Sequence, residues 1–470
     1  MLIGRDKEKG ELENLLKSNS SELVAIYGRR RVGKTFLIRE VYKKETVFEL
    51  TGLYKGRMRD QLRNFHNQLN TSFKIYNETT PPENWFDAFT LFKTCLDSLK
   101  GKKKKVIFID EFPWISSPRS KFLMLFEHFW NTYCTKRNDL IVVICGSAAS
   151  FMVHKIIKNK GGLHGRVSHT IQLLPFTLSE TKAYLKSKNL HFEHYDILQL
   201  YMTMGGVPFY LSKIEKGLSV IQNIDKLCFE KGGALVNEYE EALLSLFTNS
   251  DRHKLIIESL ATNKMGITRN ELIAKCKVSN NGNFSKALYE LIESGFVSMY
   301  KTYQKKKQKA LYRLSDEYCL FYLKFMKDNQ GEGTGTFEKL FSKQTYISWS
   351  GFAFEGICLK HVHHIKKALG IDRIYSINSS WSNQDAQIDL VIDRDDRRIN
   401  ICEMKFYGGV FSIDKKYAEN LRNKLHAFKT ETKTKKHVVI TMVTTFGLKQ
   451  NTYSLSLIEN DLKMDLLFEK

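Results

Sequence analysis

The sequence contains no Cys-x-x-Cys pair, although eight cysteines are scattered through its 470 residues. Isolated cysteines of this kind are typical of reduced thiols, so they disfavour zinc ribbons and a disulfide framework. No apolar run approaches the length of a membrane-spanning helix, and the first residues lack the pattern of a secretory signal. These absences predict a cytoplasmic protein with no membrane partner.

Acidic residues are also scarce relative to basic ones. The chain has 51 Asp and Glu against 73 Lys and Arg, which gives a formal net charge of +22. A surplus of this size predicts affinity for a polyanion, most plausibly nucleic acid, although a lysine-rich proteome would also produce it. A chain of this length is expected to divide into two to four domains.

A glycine-rich segment follows the apolar run Leu23–Tyr27, which has the character of a buried strand. Strand, GxxxxGK[ST] and helix in this order are typical of a phosphate-binding P-loop. The glycines let backbone amides and the helix N-terminus face a triphosphate. We expect Lys34 to reach the β- and γ-phosphates and Thr35 to hold magnesium. The predicted ATP-binding segment is Gly28-Arg29-Arg30-Arg31-Val32-Gly33-Lys34-Thr35.

Two adjacent carboxylates end a second apolar strand, Val106–Ile109. After a P-loop, this pattern indicates a Walker B pair. Asp110 is expected to bind magnesium through water, and Glu111 to polarise the water that attacks the γ-phosphate. ATP hydrolysis, rather than binding alone, is therefore predicted.

Three weaker signals follow along the chain. Ser147 comes directly after the apolar strand Leu140–Cys145, so it is expected near Asp110, as a sensor of the γ-phosphate or as a helix cap. Arg166 ends a glycine-rich loop and is interpreted either as an arginine finger or as an ordinary surface residue. The segment 205–208, Gly-Gly-Val-Pro, is expected to stop one helix and start the next.

These motifs together resemble the prokaryotic archaeal-type ATPase family, of the STAND branch of the AAA+ class. The resemblance extends from residue 1 to about residue 245 and rests on the P-loop, the Asp110–Glu111 pair, Ser147 and the Gly-x-Pro element. It implies a five-stranded core in which the P-loop, sensor and Walker B strands are neighbours. It also implies that the element ending at Pro208 reads the nucleotide from a helical lid.

The next region, 249–327, has the pattern of three short helices followed by a hairpin. A Thr268-x-x-Glu271 capping box begins the second helix, and 283–294 forms the third. The arrangement resembles a winged helix, in which the third helix would enter the major groove of DNA and the lysines of the hairpin tip would contact phosphates. The alternative is a module that only links domains or contacts protein. The lysines predicted to contact nucleic acid are Lys305, Lys306 and Lys307.

Segment 328–336 is polar and glycine-rich, which is typical of a linker. Beyond it, strands 387–392 and 399–405 are expected to form a hairpin turning near residue 396. Antiparallel partners then sum to 792, which sets Asp389 opposite Glu403 and places Lys405 on the same face. A helix over 350–369 supplies Glu355. Carboxylates of this kind suit Mg²⁺, held by Asp389 and Glu403, while the lysine would orient a water against a phosphodiester.

The spacing Asp–(13 residues)–Glu-x-Lys resembles the PD-(D/E)XK restriction-endonuclease-like fold, with Ile388 replacing the proline before Asp389. Histidines 361, 363 and 364 do not form a facing ligand pair, so they are interpreted as a polar helix face. The helix expected from Ser412 to Ala427, with Lys415, Lys416 and Tyr417, is a further candidate for contact with the nucleic-acid backbone.

The sequence as a whole predicts an α/β chain with an AAA+/STAND-type P-loop core at 1–175 and a helical lid at 176–248. A winged helix at 249–327, the linker at 328–336 and a restriction-endonuclease-like α/β domain at 337–470 follow. We expect an ATPase, acting with Mg²⁺ and with a homo-oligomer as its candidate assembly, whose nucleotide state controls DNA binding and a nuclease-like site. The alternatives are an ATP-driven switch that binds nucleic acid or a partner without cleavage and, more weakly, a nucleotide-dependent remodeller.

Overall fold

The computed structural model describes residues 2–75, 80–117, 119–158, 161–247, 250–263, 266–303, 310–329 and 332–469. The chain forms two compact units. The first comprises Met1–Pro175 with Ser245–Phe247, and the second comprises Phe176–Leu244 with Thr248–Lys470. Among the described helices, none is both long enough and apolar enough to cross a membrane.

The first unit alternates strands with helices around a parallel sheet. The strand order is β2-β3-β4-β1-β5, so the strand before the P-loop lies beside the strand before Ser147, which lies beside the strand before Asp110. This confirms the expected mixed α/β fold and its neighbouring core strands. The elements are α1 Asp6–Leu15, β1 Glu22–Tyr27, α2 Lys34–Val41, β2 Thr46–Thr51, α3 Met58–Phe73, α4 Trp85–Asp97, β3 Lys105–Asp110, α5 Phe112–Ile115, α6 Phe122–Thr132, β4 Leu140–Gly146, α7 Ala149–Phe151 and β5 His169–Gln172.

The central strands β1, β3 and β4 are buried along their whole length. Their continuous Val and Ile runs are typical of parallel strands that are covered by helices on both faces. The charge run Lys102 to Lys105 is typical of a solvated turn, and this expectation is wrong for Lys105. It begins β3 instead, where it is buried and its Nζ lies 2.6 Å from Asp139 Oδ2. The parallel arrangement brings the carboxyl ends of β1, β3 and β4 to one edge of the sheet.

The second unit begins with a group of helices. Helix α9 ends at Met204, and α10 begins at Pro208, which occupies its first turn, so the predicted stop and restart are confirmed. The helices are α8 Leu178–Ser187, α9 His194–Met204, α10 Pro208–Leu211, α11 Val220–Cys228 and α12 Glu238–Leu246.

A small antiparallel sheet with three helices follows in the second unit, and a fourth helix comes after its last strand. The strand order is β6-β8-β7, so the short strand before the second helix pairs with the second arm of the hairpin. The capping box of Thr268 with Glu271 is present, as predicted. The elements are α13 Asp251–Ala261, β6 Ile267–Thr268, α14 Arg269–Cys276, α15 Gly282–Glu293, β7 Val297–Lys301, β8 Ala310–Leu314 and α16 Glu317–Phe321.

The end of the predicted linker is held in place by a carboxylate of α11. The backbone N–H groups of Gly335 and Phe337 donate to the two oxygens of Asp225, at 2.5 and 2.7 Å. Helix α17 (Thr336–Phe341) begins inside the predicted linker range. The last residues of the predicted linker are therefore held in place, because a buried carboxylate satisfies their amides.

The C-terminal part of the second unit is a mixed five-stranded sheet in the order β13-β12-β11-β10-β9. Strand β9 is antiparallel to β10 and β10 to β11, whereas β11, β12 and β13 are parallel. The helix predicted over 350–369 starts earlier than expected and breaks at His361. The elements are α18 Gln344–Lys360, α19 Val362–Ala368, β9 Ser376–Ser382, β10 Gln387–Arg394, β11 Arg398–Lys405, α20 Lys415–Thr432, β12 His437–Thr444, α21 Thr452–Leu457 and β13 Ile458–Lys463.

Candidate functional sites

The P-loop requires glycine at Gly28 for steric reasons. A Cβ there would lie 2.2 Å from Leu173 O, a separation that side chains do not reach, and φ is +150°. Gly33, with φ of +92°, is the residue before the first turn of α2, and an added Cβ would meet nothing within 4 Å. The loop is thus closed on the sheet side and open beside the helix N-terminus, which is the arrangement that phosphate binding needs.

Lys34 lies inside the loop rather than on the surface. Its side chain is buried, and Nζ donates to Gly28 O at 3.0 Å and to Arg29 O at 2.9 Å. These two hydrogen bonds hold the ammonium group beside the N-terminus of α2. A triphosphate in the loop would therefore meet a cation that is already positioned.

Thr35 and Asp110 lie in contact at the carboxyl end of β3. Thr35 Oγ1 donates to Asp110 Oδ2 at 2.6 Å, and the other carboxylate oxygen accepts from the backbone N–H of Glu111 at 2.9 Å. A hydroxyl and a carboxylate side by side form an oxygen donor pair of the kind that Mg²⁺ prefers. The residues present at this position therefore fit the predicted magnesium site.

Glu111 is held by Ser147, which explains why a serine follows β4. Ser147 Oγ and its backbone N–H both donate to Glu111 Oε2, at 3.0 and 3.4 Å. Burial raises the pKa of Glu111 and the Asp110 charge adds to the rise, while Lys34 and Ser147 oppose it. The predicted alternative of helix capping by Ser147 is wrong, because α7 has Ala148 in the cap position.

The arginines near the nucleotide site differ in their surroundings. Arg29 is buried, Arg30 is exposed and Arg31 is partly exposed with φ of +69°. Arg166, the candidate arginine finger, lies on an exposed turn. Its role in catalysis stays a prediction.

One residue that supports the P-loop was not found from the sequence. Arg5 is only 4% exposed, and its Nη2 donates to Val32 O at 3.2 Å and to Leu174 O at 2.7 Å. The guanidinium thus joins the P-loop to the segment after β5. Its partners are 27 and 169 residues away in sequence, so no local pattern indicates this role.

The Gly-x-Pro element has a local steric explanation in the second unit. A Cβ on Gly206 would lie 1.9 Å from Phe176 O, and Phe176 N donates to Gly206 O at 2.6 Å. Pro208 then supplies the fixed backbone angle at the start of α10. These contacts account for the residue types, and the nucleotide-reading role of Pro208 stays a prediction.

The second candidate site lies on the hairpin of β10 and β11, in the C-terminal sheet. Leu390 pairs with Cys402 and Val391 with Ile401, so paired residues sum to 792 and the predicted register is confirmed. Asp389 and Glu403 are the next residues along β10 and β11 after the pair of Leu390 and Cys402. Helix α18 brings Glu355 into electrostatic range of both carboxylates and of Lys405. The four predicted residues therefore come together.

Glu403 is tightly paired. Tyr417 Oη donates to its Oε1 at 2.9 Å and Lys424 Nζ to its Oε2 at 2.7 Å, while Lys405 Nζ lies 3.4 Å from Oε1. Burial alone would raise the pKa of Glu403, but Lys424 and Lys405 outweigh it and the pKa is lowered. This carboxylate is therefore ionised and engaged.

The other two carboxylates behave differently. Burial, reinforced by the Asp389 charge, raises the pKa of Glu355 to about 8, although Arg313 and Lys405 oppose the rise. Burial also raises the pKa of Asp389, with Arg313 and a hydrogen bond from Gln387 opposing it. A cation placed between Glu355 and Asp389 would stabilise the ionised form of both carboxylates.

The residue types fit a divalent ion, but their arrangement does not yet form a cage. Across the residues that the structure describes, no group of three or more His, Cys, Asp or Glu side chains is placed to hold a metal. Both oxygens of Glu403 are occupied by Tyr417 and Lys424. An ion bound at Asp389 and Glu403 would therefore compete with Lys424 for Glu403.

Tyr417 and Lys424 show what the sequence reasoning missed at this site. Tyr417 was expected to face the nucleic-acid backbone together with Lys415 and Lys416, but it is partly buried on Glu403, whereas the two lysines are exposed. Lys424 lies seven residues beyond Tyr417, two turns along the same face of α20, so helical periodicity was the available signal.

Two further expectations concern histidines and the wing. His361 is buried and its Nε2 accepts from the backbone N–H of Leu178 at 3.3 Å, so the expectation of a polar helix face is wrong for this residue. Lys305, Lys306 and Lys307 lie outside the described residues, and their contact with nucleic acid stays a prediction.

Comparisons with known proteins bear on both units. An uncharacterized protein of Methanocaldococcus jannaschii is 25% identical over 421 residues, which is 86% of this chain and 88% of that protein. A Walker-type ATPase of Pyrococcus abyssi is similar in structure, with a TM-score of 0.48 and 18% identity, over 68% of this chain and 96% of that one. The ORC2 protein of Aeropyrum pernix gives a TM-score of 0.45 and 16% identity, over 73% and 96%.

Both TM-scores are below 0.5, so these two structures support no functional inference. The informative match is to a family model described as an ATPase domain predominantly from Archaea, which covers residues 2–214. That range contains the P-loop, Asp110, Glu111 and Ser147 in the geometry given above. Residues 2–214 are thus similar to an ATPase domain of this kind, and the match supports binding and hydrolysis of ATP by this part of the chain.

Proposed function

We propose that this protein hydrolyses ATP and that its nucleotide state controls DNA binding and a magnesium-dependent, nuclease-like site in the second unit. The proposal of ATP hydrolysis rests on three sets of hydrogen bonds at the carboxyl edge of the first sheet. Lys34 donates to the P-loop carbonyls, Thr35 donates to Asp110, and Ser147 donates to Glu111. Three functional groups are thereby held in place around one sheet edge.

Each group then has a chemical task in hydrolysis. Lys34 neutralises charge on the β- and γ-phosphates, while Thr35 and Asp110 bind magnesium directly or through water. Magnesium, when bound, offsets the negative charge that develops on the phosphates during the transfer. Glu111, with its raised pKa and its orientation set by Ser147, takes the proton of the attacking water.

Nucleic-acid binding is supported by charge and by the order of elements at 249–327. The chain has a net charge of +22, and helix, strand, helix, helix and hairpin follow one another as in a winged helix. In this arrangement α15 would enter the major groove. The exposed lysines 415 and 416 on α20 add positive charge beside the carboxylate site.

Cleavage is supported by the meeting of Glu355 of α18 with Asp389, Glu403 and Lys405 of the β10–β11 hairpin. The rival proposal is an ATP-driven switch that binds nucleic acid without cutting it. The occupied state of Glu403, with Tyr417 and Lys424 on its two oxygens, favours this rival.

One set of assays separates the two proposals. The chain is incubated with plasmid and linear DNA, with Mg²⁺ or Mn²⁺, and with ATP, a non-hydrolysable analogue or no nucleotide. Cleavage that is lost in Asp389→Ala with Glu403→Ala, but kept in the exposed control Glu459→Gln, supports the nuclease. Cleavage that survives the double substitution contradicts the site, and the absence of cleavage on DNA and RNA favours the switch.

The control by nucleotide is tested by DNA affinity rather than by cleavage. We expect the affinity to differ between the ATP-analogue and nucleotide-free states, and Lys34→Ala to abolish this difference because the cation that meets the phosphates is lost. Equal affinities in both states would contradict nucleotide control while leaving ATP hydrolysis in place.

A further inference from the structure

A cavity of about 440 Å³ lies within the second unit. It is bounded on one side by the β6–β8–β7 sheet with α14, and on the other side by strands β9 and β10 of the C-terminal sheet. One wall includes Tyr300, Leu311 and Arg313, and the other includes Trp381 and Asp389. The cavity thus opens onto one of the carboxylates described above. Its volume lies within the range of pockets that bind small ligands.

The two walls of the cavity are joined by backbone hydrogen bonding. The N–H of Tyr303 donates to Ser380 O at 2.7 Å, and Thr302 forms a parallel bridge with Ser380 of β9. The Tyr303 ring also packs on Phe428 of α20, with centroids 5.1 Å apart. The chain leaving β7 is therefore attached to the edge of the C-terminal sheet, and the cavity between them has fixed walls.

Arg313 of β8 is the unusual group in this cavity. It is only 4% exposed, and Nη2 donates to Phe352 O at 3.2 Å while the guanidinium lies 4.2 Å from the Phe352 ring centroid. Its nearest carboxylate oxygen, Glu355 Oε2, is 3.8 Å away. Among the described residues, its Nε and Nη1 donate no hydrogen bond. These two donors remain available to an anion, the partner that a guanidinium prefers.

The remaining charges in the cavity are consistent with an anion at Arg313. Lys275 adds a second cation to the lining. Glu271 also lines the cavity, but one of its oxygens accepts from the backbone and hydroxyl of Thr268, at 2.7 and 2.8 Å. Asp389 accepts from the Gln387 amide. The carboxylates are thus engaged locally, whereas the two nitrogen donors of Arg313 are not.

We propose that the cavity binds one nucleotide unit of a nucleic-acid strand, with its phosphate on Arg313 and its base against Tyr300, which is partly exposed. An aromatic ring beside a cation is the usual combination for an unstacked nucleotide. The inference rests on the proposed function, because it assumes that the second unit binds nucleic acid. It adds where the strand lies: the next phosphodiester would reach Asp389, and Arg313 is a positioning residue.

The test measures binding of a fluorescein-labelled single-stranded DNA of fifteen nucleotides in EDTA, where divalent ions cannot support cleavage. Arg313→Gln should weaken binding roughly 10- to 100-fold, since it removes charge-assisted hydrogen bonds, and Arg313→Lys should recover part of the loss. Leu311→Trp, which fills the cavity without changing charge, should weaken binding comparably. Arg398→Gln, which removes an arginine from an exposed ion pair, should change it less than about twofold.

The outcomes distinguish this inference from the proposed function. A wild-type chain that binds no DNA contradicts nucleic-acid binding itself. Wild-type binding that Arg313→Gln and Leu311→Trp leave unchanged contradicts only the cavity. If Arg313→Gln fails to fold, as judged by circular dichroism, Leu311→Trp decides. A different outcome is competition by deoxyadenosine monophosphate at the same concentration as the unlabelled oligonucleotide. That result would mean that the cavity binds a free nucleotide rather than a strand, and it would overturn the proposal.

Discussion

Replacing Glu111 by Gln is the sharpest test of ATP hydrolysis. Ser147 donates both its hydroxyl and its backbone N–H to one oxygen of Glu111, and the amide oxygen of Gln can accept the same bonds. The substitution therefore keeps the shape of the site and removes only the basicity of the carboxylate. Loss of a positioned general base lowers turnover by about 10²- to 10⁴-fold. We expect that loss in phosphate release while binding of a fluorescent ATP analogue is kept.

The pH dependence gives a second, independent readout of the same group. Burial raises the pKa of Glu111, and a general base acts in its ionised form. Wild-type turnover should therefore fall as the pH drops through that raised pKa, and Glu111→Gln should lack this acidic limb. Glu13→Gln, an exposed carboxylate of α1, is the matched control. Turnover of Glu111→Gln within twofold of wild type would refute the role, and joint loss of binding and turnover would make Glu111 structural.

Three further predictions follow from single contacts. Gly28→Ala should abolish the ATP-induced rise in unfolding temperature, because the added Cβ would overlap Leu173 O. The control Gly10→Ala places its Cβ where nothing lies within 4 Å and should stabilise α1 by about 0.5–1 kcal/mol. An unchanged ATP-induced shift in Gly28→Ala would contradict the steric reasoning. Arg5→Met should lower the free energy of the ATP-sensitive unfolding transition by about 1.5–3 kcal/mol in a denaturant titration, as expected for hydrogen bonds to a charged group. Lys424→Met should tighten Mn²⁺ binding in calorimetry because it frees one oxygen of Glu403, and equal affinity would show that the pair does not block the ion.

The parts of the protein that the sequence predicts well depend on short stretches of chain. The P-loop, Asp110–Glu111 and the capping box of Thr268 each lie within eight residues, so one pattern contains all the groups that act together. The hairpin of β10 and β11 was predictable for a similar reason. A turn near residue 396 fixes the register, and Leu390 then pairs with Cys402 by arithmetic alone.

What the sequence did not predict depends on contacts between distant segments. Arg5 holds Val32 and Leu174, and Asp225 holds the amides at the start of α17, yet neither residue stands in a recognisable motif. A buried arginine or aspartate looks like any surface charge until its partners are known. The same reason explains the error at Lys105. Its ion-pair partner, Asp139, is 34 residues away in the sequence, and the pair permits the burial of Lys105 in β3.

The two candidate sites use buried carboxylates in opposite ways, and this difference decides what each is ready to do. Glu111 has a raised pKa and its main partner is a neutral serine, so the group can accept a proton as soon as a water and a nucleotide are present. Glu403 has a lowered pKa and both of its oxygens are taken, so it is a ligand that is already satisfied. Hydrolysis of ATP therefore has its base in place, whereas a metal at the second site would compete with Lys424 for Glu403. Under the proposed control by nucleotide, we expect the control to act on the pair of Lys424 and Glu403, or on the position of α20, which carries the lysine.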